Sequence, residues 1–238
     1  MRAVLAERPT AHGDGRRSRT MSAPHPATGP ATLLVIAKAP VPGRVKTRLT
    51  PPYTPEEAAA LAEAALADTL HTVLTIPARR RVLVLDGAPG SWLPPGFDIV
   101  PQGSGGLDER IAAAFAHCDR GPALLVGMDT PQFTADLLTG VGHDGHDAWF
   151  GPAADGGFWA LGLADPSRAA ALVPGVPMST DRTGAVQRRR LAEAGLAVRD
   201  LPVLRDVDTA ADAVAVAACC PPGSRFAATL NSLAETGR

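Results

Sequence analysis

Two continuous apolar runs, residues 32–38 (TLLVIAK) and 122–127 (PALLVG), constrain the fold of this chain more than any other feature. Each run leads into a loop that contains proline and glycine, as expected of strands buried in a parallel sheet. Between them, Thr54 and Pro55 suit the N-cap and first position of a helix that extends to about residue 74. Strands that alternate with helices need crossover connections, so the pattern predicts an α/β protein with a mostly parallel sheet.

The rest of the chain continues this alternation of short apolar runs and helical segments. We predict further strands at 81–85, 98–101, 148–151, 158–163 and 198–201. We predict further helices at 107–117, 181–194 and 209–218, and one that begins at 133–138. The expected architecture has three layers, α/β/α, in a single domain spanning residues 31–238. Residues 1–30 carry five arginines and no such pattern, which indicates a disordered tail, with Met21 as an alternative start.

Charge and composition exclude several functional classes. The formal net charge of −1 provides no basic field for nucleic acid. No apolar run approaches the roughly 18 residues of a membrane span, so we expect no membrane association. The three cysteines, at 118, 219 and 220, lack the CxxC spacing of a zinc or disulfide framework, which favours the cytoplasm. The sequence leaves the oligomeric state open.

A basic loop directly follows the first predicted strand. It places four cations within eleven residues: Lys38, Arg44, Lys46 and Arg48. Pro42 and Gly43 stiffen its turn and allow the backbone to approach a ligand. Arginine and lysine together suit a polyphosphate, although the loop is neither a Walker loop nor a GxGxxG motif. The alternative is a solvated basic loop, and its place after a strand favours nucleotide binding.

A second loop, residues 101–107 (PQGSGGL), is rich in glycine and precedes a predicted helix. Gln102 offers a donor and an acceptor to a base edge, and Gly103 lets the chain pass close to a base or ribose. Arg110 follows one helical turn later. A plain turn before a helix explains the glycines equally well.

Two aspartates are candidate ligands for Mg²⁺ or Mn²⁺. Asp129 directly follows a buried strand, and such cations commonly bind one or two carboxylates together with phosphate oxygens. Asp208 could complete the site. Each residue could instead cap the helix predicted after it, because aspartate is a good N-cap.

Asp155 precedes two glycines, so it belongs either to a hairpin turn or to an acceptor site as a catalytic acid or base. The segment Ser179, Thr180 and Asp181 offers a similar choice, and there helix capping is favoured. The residues around His143 and His146 lack the partners of a zinc site, so we do not expect metal there.

Five segments of the chain together resemble the DUF2064 family. They are AKAPVPGRVKTRL (37–49), PQGSGGLDER (101–110), GMDTP (127–131), GPAADGGFWALGL (151–163) and RDVDTAADA (205–213). The resemblance implies a Rossmann-like GT-A fold, that of the nucleotide-diphospho-sugar transferases. The basic loop and the DTP element are also similar to the phospholactate guanylyltransferases. In both groups the resemblance implies a nucleotide over the first strands and a divalent cation at the Asp129 position.

Three functions are compatible with these residues. The leading hypothesis is a cation-dependent glycosyltransferase that takes a sugar from a nucleotide-diphospho-sugar to a small-molecule acceptor. The alternative is a nucleotidyltransferase that moves NMP from an NTP to a phosphorylated acceptor and releases pyrophosphate. A nucleotide-binding protein without turnover is the third.

Overall fold

Seven strands form one sheet in the part of the chain that the computed structural model describes, residues 31–236. The strands are β1 (Thr32–Lys38), β2 (Arg80–Asp86), β3 (Asp98–Pro101), β4 (Ala123–Val126), β5 (Ala148–Pro152), β6 (Phe158–Leu163) and β7 (Val198–Asp200). Their order across the sheet is β3-β2-β1-β4-β6-β5-β7. Only β6 runs antiparallel to its neighbours, so the predicted, mostly parallel sheet is confirmed. The predicted tail, residues 1–30, lies outside the described residues.

The described helices are α1 (Pro55–Thr75), α2 (Leu107–Phe115), α3 (Ala169–Leu172), α4 (Thr183–Glu193), α5 (Ala210–Ala217) and α6 (Arg225–Thr236). The helix predicted to begin at 133–138 is wrong, because that segment forms only a 3-10 turn, Ala135–Leu138. Helix α6 was not predicted. Among residues 31–236, no helix is both long and apolar enough to cross a lipid bilayer.

Helix α1 begins where the sequence predicts. The Thr54 hydroxyl oxygen accepts a hydrogen bond from the Glu57 backbone N–H at 3.2 Å, and Glu57 Oε2 accepts one from the Thr54 N–H at 2.7 Å. This reciprocal capping box satisfies two of the N–H groups that a helix start leaves unpaired. Pro55 occupies the first helical position, where its missing N–H costs nothing.

The core has a layer on each face of the sheet. Along β1, Leu33 and Val35 pack on the face covered by α1, whereas Leu34 packs on the opposite face with residues of α2, α3 and α4. This alternation is the period of two that a strand imposes on its side chains. The three-layer α/β/α architecture is therefore confirmed.

Helix α1 is buried on two sides because α5 and α6 cover its outer face. Ala58 and Leu61 of α1 lie in a third apolar cluster with Val216 of α5 and Phe226 of α6. Alanines along α1 keep its surface narrow, so that helices can pack closely on both sides. The unpredicted α6 therefore completes the layer that α1 begins.

The strand directions place several loops at one edge of the sheet. Strands β1, β2 and β4 end there, and the hairpin between β5 and β6 turns there. Ligands of open α/β sheets bind at this carboxyl edge. The basic loop after β1 and the acidic segment after β4 thereby become neighbours.

Candidate active site

A cleft opens at this edge of the sheet, formed by a cavity of about 600 Å³ and an adjoining one of about 240 Å³. Residues of the predicted nucleotide, metal and acceptor sites line it. The cavities share five lining residues: Lys38, Arg48, Met128, Asp129 and Asp208. The sequence motifs therefore converge on one site.

Lys46 lies at the centre of the polar contacts in the cleft. Its Nζ is 2.6 Å from Asp129 Oδ1 and 3.4 Å from Asp208 Oδ1, and its side chain is only 9% exposed. Burial disfavours an ammonium, yet the carboxylates of Asp129, Asp208 and Asp206 outweigh it and hold the pKa of Lys46 above its usual value. Lys46 therefore carries its charge in the cleft.

Asp208 faces the basic loop and does not cap a helix. Its Oδ2 lies 3.2 Å from Arg48 Nη1, in addition to the contact with Lys46. The start of α5 is capped by Thr209, whose hydroxyl accepts from the Asp212 N–H at 3.2 Å. The capping alternative for Asp208 is therefore wrong, which leaves its carboxylate available to the cleft.

Asp129 is likewise not a helix cap. The next helical turn begins at Ala135, with Thr134 at its N-cap position. The backbone oxygen of Asp129 accepts a hydrogen bond from the Val207 N–H at 3.0 Å. This bond joins the two segments that carry Asp129 and Asp208, so both carboxylates reach Lys46.

Asp206 belongs to the same cleft and was missed as a site residue. Burial raises its pKa to about 7, and the charges of Asp129 and Asp155 add to the effect against the opposing charge of Lys46. The sequence signal that could have identified Asp206 is the acidic–apolar–acidic alternation of Asp206, Val207 and Asp208. Val207 is buried in the core, so the two flanking aspartates point the other way.

Gln102 and Arg110 both line the larger cavity, but the amide of Gln102 is engaged within the protein. Its Nε2 donates to the Ala37 carbonyl at 2.7 Å, and its Oε1 accepts from Arg110 Nη1 at 2.7 Å. The predicted contact of Gln102 with a base edge therefore finds no support in this geometry. Arg110 retains one unused hydrogen-bond donor, because its buried Nε has no partner.

The glycines of the second loop form the turn before α2. Gly106 occupies the N-cap position, and its N–H donates to Glu109 Oε2 at 2.8 Å. Gly103 is exposed and does not line the cleft. The plain-turn alternative accounts for these residues.

The basic loop divides into residues that face the cleft and residues that turn the chain. Lys38 and Arg44 line the smaller cavity, and Lys38 Nζ lies 4.0 Å from Asp86 Oδ2. Pro42 and Gly43 are exposed and line neither cavity. Gly43 has φ +71°, a left-handed conformation that favours glycine, so its role is in the turn.

Asp155 stabilises the hairpin turn, as one of its two predicted roles requires, and it also lines the cleft. Its Oδ1 accepts from the Gly157 N–H at 2.8 Å, which closes the turn between β5 and β6. The carbonyl of Gly156 then accepts from the Gly184 N–H at 2.7 Å. The hairpin is thereby fixed against the first turn of α4.

Ser179, Thr180 and Asp181, which were predicted to cap a helix, do not occupy the N-cap position of α4. The N-cap position of α4 is Arg182, which has no side-chain cap bond. Thr183 instead organises the loop, because its hydroxyl accepts from the Thr180 N–H at 3.1 Å and donates to the Pro177 carbonyl at 2.7 Å. Ser179 has φ +57°, and Asp181 lines the cleft beside Asp155.

Side chains of both charges line the cleft, and two of the acids, Asp129 and Asp208, contact the basic loop. Its basic lining residues are Lys38, Arg44, Lys46, Arg48 and Arg110, and its acidic ones include Asp129, Asp155, Asp181, Asp206 and Asp208. Within the described residues, no group of three or more acidic, histidine or cysteine side chains is arranged to hold a metal ion by itself. A cation at this site would take further ligands from substrate or water.

One family model matches residues 60–180, just over half of the chain. It is the model of DUF2064, which is described as an uncharacterized protein conserved in bacteria. This chain belongs to the DUF2064 family. The family predicted from the sequence motifs is confirmed. No curated protein matches the chain.

Solved structures share the fold of this DUF2064 protein. A provisionally assigned nucleotide-diphospho-sugar transferase from Desulfovibrio desulfuricans G20 is 25% identical, with 87% of this chain and 95% of that chain covered and a TM-score of 0.76. A homologue of Mycobacterium tuberculosis Rv0371c from Mycobacterium sp. strain JC1 is 21% identical over 79% and 96% of the two chains, with a TM-score of 0.52.

A third similar structure, a cytidylyltransferase from Leptospira borgpetersenii, is 11% identical over 88% of this chain and 95% of that chain, with a TM-score of 0.52. At this identity the likeness concerns the fold alone. The prediction of a nucleotide-diphospho-sugar transferase fold is confirmed by these structures.

Proposed function

We propose that this DUF2064 protein is a divalent-cation-dependent glycosyltransferase that takes its sugar from a nucleotide-diphospho-sugar. The observation that carries the proposal is the cleft itself, where the basic loop after β1 meets the carboxylates that follow β4 and precede α5. The assignment of the D. desulfuricans structure supports the same donor class.

The donor diphosphate would bind along the basic loop. Lys38, Arg44 and Arg48 line the smaller cavity with side chains that reach solvent, so phosphate oxygens can approach them. Arginine offers forked donors to phosphate and lysine a compact charge. Arg110 lines the larger cavity, where its guanidinium would contact the nucleotide.

The carboxylates fit a hard divalent cation. Asp129 and Asp208 already share one cationic partner, Lys46. Burial raises the pKa of the nearby Asp206 to about 7, and the charges of Asp129 and Asp155 add to the effect. Asp129 and Asp208 would hold Mg²⁺ or Mn²⁺, with Asp206 beside them. Such an ion supplies positive charge to a leaving diphosphate.

The acceptor would bind on the acidic side of the cleft, beside the β5–β6 hairpin. Asp155 and Asp181 lie there, and the hairpin is fixed by the bonds of Gly156 and Gly157. Asp155 would orient the acceptor hydroxyl or take its proton as the sugar is transferred. Because carboxylates repel anions, a small neutral acceptor suits this side of the cleft better than a phosphorylated one.

A second candidate, nucleotidyl transfer from an NTP, is favoured by the number of cations along the basic loop. A triphosphate needs more positive charge than a diphosphate-sugar, and Lys38, Arg44, Lys46 and Arg48 all line one cavity. In this reaction an acceptor phosphate would attack the α-phosphorus and release pyrophosphate.

One assay separates these reactions. Purified protein with Mg²⁺ or Mn²⁺ is incubated with panels of nucleotide-diphospho-sugars and NTPs and a set of polyol and phosphorylated acceptors. Acceptor-dependent release of NDP, lost in an Asp155→Asn variant, is the result expected of glycosyl transfer. Pyrophosphate release from an NTP would instead establish the second candidate. Binding without either product would point to the non-catalytic alternative.

A further inference from the structure

The ammonium of Lys46 lies at the carboxylates to which the proposed function assigns the divalent cation. Its Nζ is 2.6 Å from Asp129 Oδ1 and 3.4 Å from Asp208 Oδ1. The Lys46 side chain is only 9% exposed, whereas the carboxylates of Asp129 and Asp208 reach solvent. Lys46 thus provides the positive charge that these two carboxylates share in a protein without bound cation, and Arg48 contacts Asp208 in addition.

A divalent cation and this ammonium cannot share the two carboxylates. A cation bound at about 2.1 Å from carboxylate oxygens would lie within a few ångströms of Nζ in its present position. At that separation the two positive charges repel each other, and the Lys46 side chain is too buried for water to screen its ammonium well. Binding of the cation at Asp129 therefore requires Lys46 to move.

The Lys46 side chain can move from the two carboxylates toward the proposed site of the donor phosphates. It directly precedes the 3-10 turn Thr47–Leu49 and has φ +46°, a left-handed conformation uncommon for a lysine. Its side chain lines the smaller cavity together with Arg44 and Arg48, on the side proposed for the donor phosphates. A flexible four-carbon stem lets the ammonium exchange carboxylate for phosphate oxygens without losing an anionic partner.

We propose that Lys46 couples donor binding to cation binding: it occupies the cation's carboxylates in the free protein and transfers to the donor diphosphate, which releases Asp129 and Asp208. The coupling rests on the proposed function, because it needs a phosphate-bearing donor. Its consequence is that cation and donor each bind more tightly in the presence of the other, by the same factor.

The test measures Mn²⁺ binding without any nucleotide, by electron paramagnetic resonance of the free ion. Lys46→Gln and Lys46→Met remove the competing charge, and both should bind Mn²⁺ about fivefold or more tightly than the wild type. Lys46→Arg keeps the charge and serves as the folded reference if a neutral variant is unstable. Arg189→Gln is the control, since Arg189 is exposed and lies outside the cleft.

Each outcome is decisive for Lys46. Tighter Mn²⁺ binding in the neutral variants, with Lys46→Arg and Arg189→Gln unchanged, supports the proposal. Equal or weaker binding in folded neutral variants overturns it. If only Lys46→Arg folds, tighter Mn²⁺ binding in that variant would overturn it and unchanged binding would support it. Because the measurement contains no nucleotide, a failure of donor binding would count against the proposed function and not against this result.

Discussion

The Nζ of Lys46 lies 2.6 Å from Oδ1 of Asp129, which joins the loop after β1 to the loop after β4. Asp208 adds a third segment to the same contact at 3.4 Å. Three sequence motifs that are far apart in the chain thus meet at one buried charge. The proposed donor, cation and acceptor contacts all lie around it.

Asp208 and Asp212 provide a matched pair for separating function from stability. Asp208 contacts Lys46 and Arg48, whereas Asp212 completes the capping box of α5 with Thr209. We predict that Asp208→Asn lowers transferase activity at least about tenfold, because it weakens a proposed cation ligand. Asp212→Asn should lower the free energy of unfolding by about 1 kcal/mol and retain the activity. Steady-state kinetics and urea unfolding of both variants check this, and a reversed pattern would remove Asp208 from the site.

Gly156 should be far less replaceable than other glycines with positive φ. A Cβ there would lie 2.1 Å from the backbone oxygen of Asp181, whereas at Gly145 it would meet nothing within 4 Å. We predict that Gly145→Ala costs about 1–2 kcal/mol of unfolding free energy, from its φ of +78° alone. Gly156→Ala should cost about 2 kcal/mol or more beyond that, because the hairpin and the loop before α4 must separate. Similar unfolding midpoints for the two variants would contradict the packing described for this hairpin.

Asp144 should make stability depend on pH in the acid range. Although partial burial acts in the opposite direction, hydrogen bonds from Arg199, Trp149 and His146 lower the pKa of Asp144 to about 2. A carboxyl with a lowered folded-state pKa stabilises the protein above its unfolded pKa, and this contribution is lost as the pH falls from about 4 to about 2.

We therefore predict that Asp144→Asn lowers the free energy of unfolding by roughly 1–3 kcal/mol at pH 7, and that its difference from the wild type shrinks toward pH 2. Urea unfolding at a series of pH values measures this. Asp98→Asn, which removes an exposed ion pair with Arg80, is the control and should cost less than about 1 kcal/mol. A difference for Asp144→Asn that stays constant down to pH 2 would contradict the stated cause.

Local patterns were sufficient to predict most of the fold. The apolar runs predicted the strands, and Thr54 with Pro55 predicted the start of α1, because both depend on residues close in sequence. Helix α6 was missed although Phe226, Leu230 and Leu233 have helical spacing. Its stability depends on α1, with which it shares an apolar cluster, and that contact is not visible in the sequence.

The site could be predicted as a set of loops but not as a set of contacts. Strand order places the Asp129 loop beside the basic loop, whereas the ion pair with Lys46 depends on the left-handed backbone at that lysine. Gln102 has the chemistry for reading a base, yet β1 and Arg110 take up its amide. Such competition between internal and external partners is decided by tertiary packing.

The central claim, a nucleotide donor bound together with a divalent cation, is tested most directly by thermal unfolding. The purified protein is compared with and without Mg²⁺ or Mn²⁺ in the presence of NTPs, NDPs and nucleotide-diphospho-sugars at equal concentration. We predict the largest rise in Tm for one nucleotide-diphospho-sugar, about 5–10 °C at a hundred times its Kd, and only with the cation present. The Asp129→Ala variant should lose this rise. An unchanged Tm with every nucleotide, with or without cation, would contradict the account.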